Sequence, residues 1–179
     1  RLSIQDLSEQ ANQPMISKCG NYYLAFNGEL WKSTFRKFNK KLRKKYNFKT
    51  EKSDSELLLY FLVDNIDNLA QSLNKLEGMF CFSFYDLKND ITYLGRDFIG
   101  RLPFYYYFQN GKFAYSSEVK GLTVGIDKPY YKIDVKSKKY KVSEYKSKEV
   151  IHPVLPGTII KFSPSQFKGQ HSMETIRWF

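Results

Sequence analysis

The chain has 179 residues and is 42% hydrophobic, enough for a real core, and no apolar run reaches bilayer-spanning length, which excludes a membrane-embedded protein. Two cysteines, Cys19 and Cys81, give neither a disulfide framework nor a metal-ligand spacing, so a reducing, cytoplasmic compartment is the default. The net charge of +11 is local: residues 32–49 hold nine Lys or Arg and no acid, residues 136–149 hold six Lys against Glu144 and Glu149, and the rest is close to neutral.

The opening Arg1-Leu2-Ser3-Ile4 reads as a strand over 1–5. The run Tyr22-Tyr23-Leu24-Ala25-Phe26 is aromatic and uncharged and predicts a buried strand over 22–27. It gives way to Asn27-Gly28-Glu29. Asn-Gly is a strong hairpin-turn signal, and that is one reading of it. The other is chemical. An Asn side-chain N–H and a Gly backbone N–H that converge on one point are the donors an acyl-transfer reaction needs to hold a developing oxyanion.

Over 33–46, Phe35, Phe38, Leu42 and Tyr46 recur at helical spacing, so the lysines fall mainly on the other faces. A solvated helix surface is the simple reading of those lysines; a nucleic acid or an acidic partner is the sharper one. Ser53-x-x-Glu56 ahead of Leu57-Leu58-Leu59 reads as a capping box opening a helix over 54–65, and a third helix fits 67–76. Strands follow at 79–86, 91–96, 104–108 and 112–116, with Asn89-Asp90 and Asn110-Gly111 as hairpin turns. Further strands fit near 130–142 and 158–163, and the Lys-rich stretch near 128–150 reads as a basic insertion, an exposed hairpin or a mobile loop. Antiparallel hairpins with clustered helices make this an α+β chain, and no phosphate-binding loop is present.

Eight segments carry a resemblance when taken in order: Arg1-Leu2-Ser3-Ile4, Gln13-Pro14-Met15, Asn27-Gly28-Glu29, Ser53-Asp54-Ser55-Glu56, the run from Gly78 to Asp86, Gly95-Arg96-Asp97-Phe98-Ile99-Gly100, Ser116-Ser117-Glu118 and Leu155-Pro156-Gly157. In this order the chain resembles, along its whole length, the glutaminase domain of glutamine-dependent asparagine synthetases, a class II, N-terminal-nucleophile glutamine amidotransferase. The resemblance implies one domain over 1–179 with a four-layer αββα sandwich of two antiparallel sheets. It also implies a catalytic cysteine several dozen residues upstream of Arg1, so the sequence is expected to be incomplete at its N-terminus. That cysteine's own α-amino group would be the base. Cys19-Gly20 imitates the family's start but reads as a turn, Cys81 as a buried small hydrophobe, and neither His152 nor His171 sits where it would replace the base.

For the substrate, the resemblance gives Arg1 the glutamine carboxylate, a role that suits a guanidinium fork, with backbone help from Ile4. Asp54 is implied as the anion for the substrate ammonium, kept ionised by the helix dipole, and Glu29 as a second anion beside it. Asn27 and Gly28 are implied as the oxyanion hole. If Ser53 caps and Glu56 reaches back, Asp54 is left to face ligand. Arg96-Asp97 and Glu118 are expected to fix strand ends and the interface with the next domain. No metal and no cofactor are expected in this domain; ATP and Mg²⁺ are implied for a C-terminal synthetase domain that amidates aspartate. Glutamine and that synthetase domain are the expected partners, with a homodimer as a further option.

Two departures from the family pattern stand out. Arg101-Leu102 falls where a Lys is usual, and Lys32 where an Asn is frequent. They keep open a non-catalytic, asparagine-synthetase-like assembly module with basic interaction surfaces. A relative that aminates a sugar or nucleotide precursor is a third option, against which the Ser53-Asp54-Ser55-Glu56 context leans.

Overall fold

Burial alternates along Tyr22–Leu30: Leu24, Phe26 and Leu30 are buried while Tyr23, Ala25, Asn27 and Glu29 are less so, the period of a strand with one face in the core. The computed structural model describes residues 6, 8–109, 112–123, 132–134, 139–141 and 151–179. In chain order its strands are β1 (Met15–Ile16), β2 (Tyr22–Leu30), β3 (Gly78–Asp86), β4 (Ile91–Arg96), β5 (Tyr105–Gln109), β6 (Lys112–Ser116), β7 (Lys132–Asp134), β8 (Lys139–Lys141), β9 (Ile151–Pro153), β10 (Thr158–Phe162) and β11 (Glu174–Arg177). The helices are α1 (Lys32–Tyr46), α2 (Asp54–Asp64), α3 (Leu69–Leu73) and α4 (Val119–Thr123). They fall into two units, Arg1–Leu102 with Val154–Phe179, and Pro103–Pro153.

The first unit is a six-stranded antiparallel sheet in the order β1-β2-β3-β4-β10-β11. Its centre is the β2–β3 pair, nine residues in register from Tyr22 opposite Asp86 to Leu30 opposite Gly78. Leu24, Phe26, Phe80, Phe82 and Phe84 share a core with Leu42 of α1 and Leu57, Leu58, Phe61 and Leu62 of α2. Each such side chain contributes about 1.5–3 kcal/mol on leaving water. α2 is buried at every position from Asp54 to Leu62, so its polar first turn is inside the protein and each of its charges needs a partner. α1 matches the sequence pattern: Leu42 is buried, Phe35, Phe38 and Tyr46 pack partly against the core, and the cations lie on the exposed faces except half-buried Arg43, which stacks over Phe48. Lys41 and Lys45 reach Asp64 at the end of α2. Asn47, at φ 50°, ends α1 in the left-handed conformation with its N–H on the Arg43 carbonyl.

The second unit carries a three-stranded antiparallel sheet, β6-β5-β9, and the separate β7–β8 pair. Tyr106 stacks between Phe113 and His152, and Leu122 of α4 packs on Tyr107.

The α+β class with antiparallel sheets is as expected, and three sequence readings change. β2 does not stop at residue 27 but runs to Leu30, so Asn27-Gly28 is strand and not turn. The third helix, expected over 67–76, is a 3₁₀ turn at Ile66–Asn68 followed by the short α3. The reason is local: Asn65 caps α2 by donating its amide to the Phe61 carbonyl at 2.8 Å and accepts the Ser72 hydroxyl at 3.0 Å, which breaks the axis. β1, β9 and β11 were not anticipated, being two to four residues long and without clear alternation. The Asn89-Asp90 turn is present, with Asp90 at φ 52° accepting the Tyr85 and Ser163 hydroxyls at 3.0 and 2.6 Å. The strand over 1–5, the Asn110-Gly111 turn and most of the 128–150 insertion lie outside the described residues.

Candidate active site

One edge of β2 carries Asn27 and Gly28 and meets Asp54. β3 pairs with β2 along its whole length, whereas β1 pairs with it only at Tyr23 and Leu24. Beyond those residues no further strand pairs with this edge among the described residues, and in an antiparallel ladder every second residue turns its N–H toward it. Phe26 is the first, its N–H donating to Gln13 Oε1 at 2.5 Å. Leu30 is the third, its N–H donating to Asp54 Oδ2 at 3.2 Å. Gly28 has the same parity and lies between them. Across β3 its neighbour Phe80 is engaged with Asp97: the Phe80 N–H donates to Asp97 Oδ2 at 3.0 Å and the Phe80 carbonyl accepts the Asp97 N–H at 2.8 Å. The strand period therefore aims the Gly28 N–H out of this edge.

Only glycine fits there. Gly28 has φ +142°, and a Cβ would lie 2.1 Å from the Met79 carbonyl oxygen and 2.7 Å from the Phe80 Cα. Both obstacles are backbone, so no side-chain movement relieves them. A side-chain amide on Asn27, which is exposed, and a main-chain N–H on Gly28 are thus one residue apart on the same strand segment. Such a pair can hold an oxyanion.

Asp54 stands at the first position of α2, which Ser53 caps by accepting the Glu56 N–H at 3.3 Å. The reciprocal half of the expected capping box is absent. Glu56 instead turns to the preceding segment, accepting the N–H groups of Lys49 and Thr50 at 2.8 Å and the Thr50 hydroxyl at 2.6 Å. Asp54 is therefore not loose, as the capping argument expected; Oδ2 is held by Leu30. It is 7% exposed, and burial pushes its carboxyl above the usual range, with the N–H groups of Leu30 and Ser55 pulling it back and the Glu29 charge pushing it further up. The helix dipole is thus not the governing influence: desolvation wins. No ion pair to Asp54 occurs among the described residues. A buried carboxylate in that state is stabilised by an incoming cation.

Of the six residues singled out from the sequence, the structure brings Gly28, Glu29 and Asp54 together through the Leu30 link, with Asn27 next to Gly28 on the strand. Arg1 and Ile4 lie outside the described residues. Cys19 sits in the Ser17–Gly20 turn, closed by the Gly20 N–H on the Ser17 carbonyl. Five residues of strand separate the Tyr22 end of β2, beside that turn, from Asn27, about 16 Å of extended chain, so Cys19 cannot serve this edge. Cys81 is opposite Asn27 and buried, and burial pushes its thiol up to about 12, the reverse of an activated nucleophile.

Arg96 and Asp97 behave as expected of residues that fix strand ends. The Arg96 guanidinium donates to the carbonyls of Leu102, Val154 and Gly100 at 2.7–2.8 Å. Asp97 Oδ1 accepts the N–H groups of Ile99 and Gly100 at 3.0 and 2.8 Å. Glu118 pairs with Lys120 at 2.7 Å on an exposed surface of the second unit. Gln13 is the residue that sequence reasoning left without a role. Its contact is thirteen residues away in sequence and depends on β1 being short, which a Gln-Pro dipeptide does not reveal.

Among the described residues no cluster of His, Cys, Asp or Glu could hold a metal ion, and no helix is long and apolar enough to cross a membrane. A cavity of about 260 Å³, floored by Tyr93, Ile159 and Ile176, contains none of the candidate residues.

Residues 1–173 match the family described as glutamine amidotransferase domain. The chain is 33% identical over 123 residues to asparagine synthetase B [glutamine-hydrolyzing] of Escherichia coli (strain K12), a match covering 68% of this chain and 21% of that protein. It is 34% identical over 125 residues to asparagine synthetase [glutamine-hydrolyzing] 1 of Bacillus subtilis (strain 168), covering 69% of this chain and 19% of that one. It thus spans about a fifth to a quarter of the length of the curated relatives it matches. Among solved structures, the glutamine phosphoribosylpyrophosphate amidotransferase of B. subtilis shares the fold, with a TM-score of 0.64 at 18% identity, over 96% of this chain and 33% of that one.

Proposed function

Because the chain belongs to the family of glutamine amidotransferase domains, we propose that it hydrolyses glutamine and passes the ammonia to a synthetase region of the same protein, which amidates aspartate to asparagine. The observation that carries this reading is the β2 edge that faces away from β3, where the Asn27 amide and the Gly28 N–H stand within three residues of the Leu30 N–H that holds the Asp54 carboxylate. Glutamine presents a carboxylate, an ammonium and an amide to be cleaved. In this reading Arg1, with Ile4, binds the carboxylate, and Asp54 with Glu29 binds the ammonium. Asn27 and Gly28 hold the oxygen of the scissile amide as it becomes an oxyanion.

The nucleophile is a cysteine upstream of Arg1, its α-amino group taking the thiol proton. The thiolate adds to the side-chain amide carbon, ammonia leaves with that proton, and water then cleaves the thioester to give glutamate. ATP and Mg²⁺ serve the synthetase region, and no step in this domain runs through them. The likeness to glutamine-hydrolysing asparagine synthetases supports asparagine as the product, and a cytoplasmic setting belongs to the same reading. Against the module reading without catalysis stands Asp54, a carboxylate buried at the start of α2 without a cation among the described residues.

The test uses the full-length protein and two nitrogen sources. Asn27→Ala should lower glutamine-dependent asparagine formation and glutamate release by about 10²–10³-fold, while ammonia-dependent asparagine formation stays at the wild-type rate. Wild-type glutamate release from the Asn27→Ala protein would refute the proposed oxyanion site.

A further inference from the structure

Gly28 lies inside a closed circuit of hydrogen bonds. Two residues before it, the Phe26 N–H donates to Gln13 Oε1 at 2.5 Å. The same carboxamide donates through Nε2 to the Ser55 hydroxyl at 3.4 Å. Ser55 is the covalent neighbour of Asp54, and Asp54 Oδ2 accepts the Leu30 N–H two residues after Gly28, at 3.2 Å. The circuit joins the strand that carries the proposed oxyanion donors to the helix turn that carries the proposed ammonium-binding carboxylate.

We infer that Gln13 is a positioning residue for glutamine hydrolysis, its carboxamide tying the first turn of α2 to the β2 edge that faces away from β3 so that occupancy of the ammonium site fixes the aim of the Gly28 N–H. The inference rests on the glutaminase reading above and adds to it a residue that touches no substrate. Sterics and chemistry select an amide here. β1 begins at Met15, so the ladder stops short of Phe26 and leaves its N–H in need of a side-chain acceptor. A side chain must then accept from one partner and donate to another, which Gln does. Glu can only accept, and Leu can do neither. The Ser55 contact is the longer of the two and the point at which the circuit gives way first. When it opens, Leu30 to Asp54 is the hydrogen bond that still ties the first turn of α2 to β2 among the described residues, and the β2 edge facing away from β3 loses its second tie to the helix. A misplacement of about 1 Å in a donor of this kind costs on the order of 10²-fold in rate.

The experiment measures full-length Gln13→Leu, Gln13→Glu, Ser55→Ala and the double variant Gln13→Leu/Ser55→Ala, with Asn27→Ala alongside. Gln13→Leu should lower kcat for glutamine hydrolysis by about 10- to 100-fold with KM within about threefold, and ammonia-dependent synthesis should be unaltered. Gln13→Glu, which keeps the acceptor for Phe26, should fall less. Affinity for glutamate γ-aldehyde, which adds the thiolate and places its oxygen in the hole, should weaken in step with kcat, whereas affinity for glutamate should not move. The double variant should be no slower than the slower single one, since either change opens the same circuit.

Turnover by Gln13→Leu within twofold of wild type would overturn the inference, as would multiplicative losses or equal weakening of aldehyde and glutamate. If Gln13→Leu does not fold, the graded kcat of Gln13→Glu and Ser55→Ala decides in its place. Loss of turnover in Asn27→Ala with none in the Gln13 variants removes the strut and leaves the glutaminase reading standing; no loss in either removes both.

Discussion

Replacing Gly28 by alanine is the sharpest perturbation this site allows. The new methyl would stand 2.1 Å from the Met79 carbonyl oxygen, and contacts of a Cβ under 3.0 Å are essentially never seen, so β2 and β3 must part by about 1 Å. The neighbours are the β3 main chain, which is locked on its far side by Asp97. In addition, φ +142° is a conformation that alanine holds only under strain. Strain and overpacking together cost on the order of 2–6 kcal/mol, a large part of the stability of a typical domain. The strands cannot part without moving the Gly28 N–H, and about 1 Å at that donor costs on the order of 10²-fold in turnover. The assay is glutamate release from the full-length protein at saturating glutamine, with ammonia-dependent asparagine synthesis as the control for folding and thermal unfolding as the measure of strain. Gly28→Ala should lose glutaminase turnover and melt lower, while the ammonia-dependent reaction persists. A variant with wild-type kcat and wild-type Tm would show that this position neither strains the sheet nor faces the reaction.

Asp54→Asn should raise KM for glutamine about 10²-fold, because a charge-assisted contact to the ammonium is lost, and should raise Tm at neutral pH. The sign follows from burial: the folded-state pKa lies above the unfolded one, so the carboxyl's contribution to stability is fully present below the unfolded pKa and is lost as pH rises through the folded pKa. The Tm advantage of Asp54→Asn should accordingly vanish in acid; a variant less stable than wild type at every pH contradicts this. Glutamine KM in the wild type should rise as pH falls through the Asp54 folded pKa, because the protonated acid no longer attracts an ammonium. Asp97→Ala strands two main-chain N–H groups, those of Phe80 and Ile99, leaves Gly100 only its bond to the Asp97 carbonyl, and should cost about 2–6 kcal/mol in chemical denaturation, with loss of turnover because Phe80 backs Gly28. Lys40→Gln/Lys44→Gln on the exposed face of α1 should change stability by less than about 0.5 kcal/mol and leave kcat intact; a larger effect would assign that face a role beyond solvation.

The sequence by itself determined the elements whose signal is local. The aromatic run into β2, the heptad-like spacing of Phe35, Phe38, Leu42 and Tyr46 in α1, and the Ser53 cap of α2 depend on neighbours within a few residues, and each stands as read. What only the tertiary structure decided is what those elements do to one another. Asn27-Gly28 carries a strong hairpin signal, yet it lies inside a strand, because nine residues of β3 and the buried faces of Phe26 and Leu30 outweigh a two-residue preference. Glu56 abandons the capping box because Lys49 and Thr50 present three donors to it, and Asp54 gains a raised pKa because α2 is sunk at its polar end. Gln13 meets Phe26 only because β1 is two residues long. Pattern is written between near neighbours; partnership across a sheet edge depends on where burial places distant segments, and burial is a property of the whole fold.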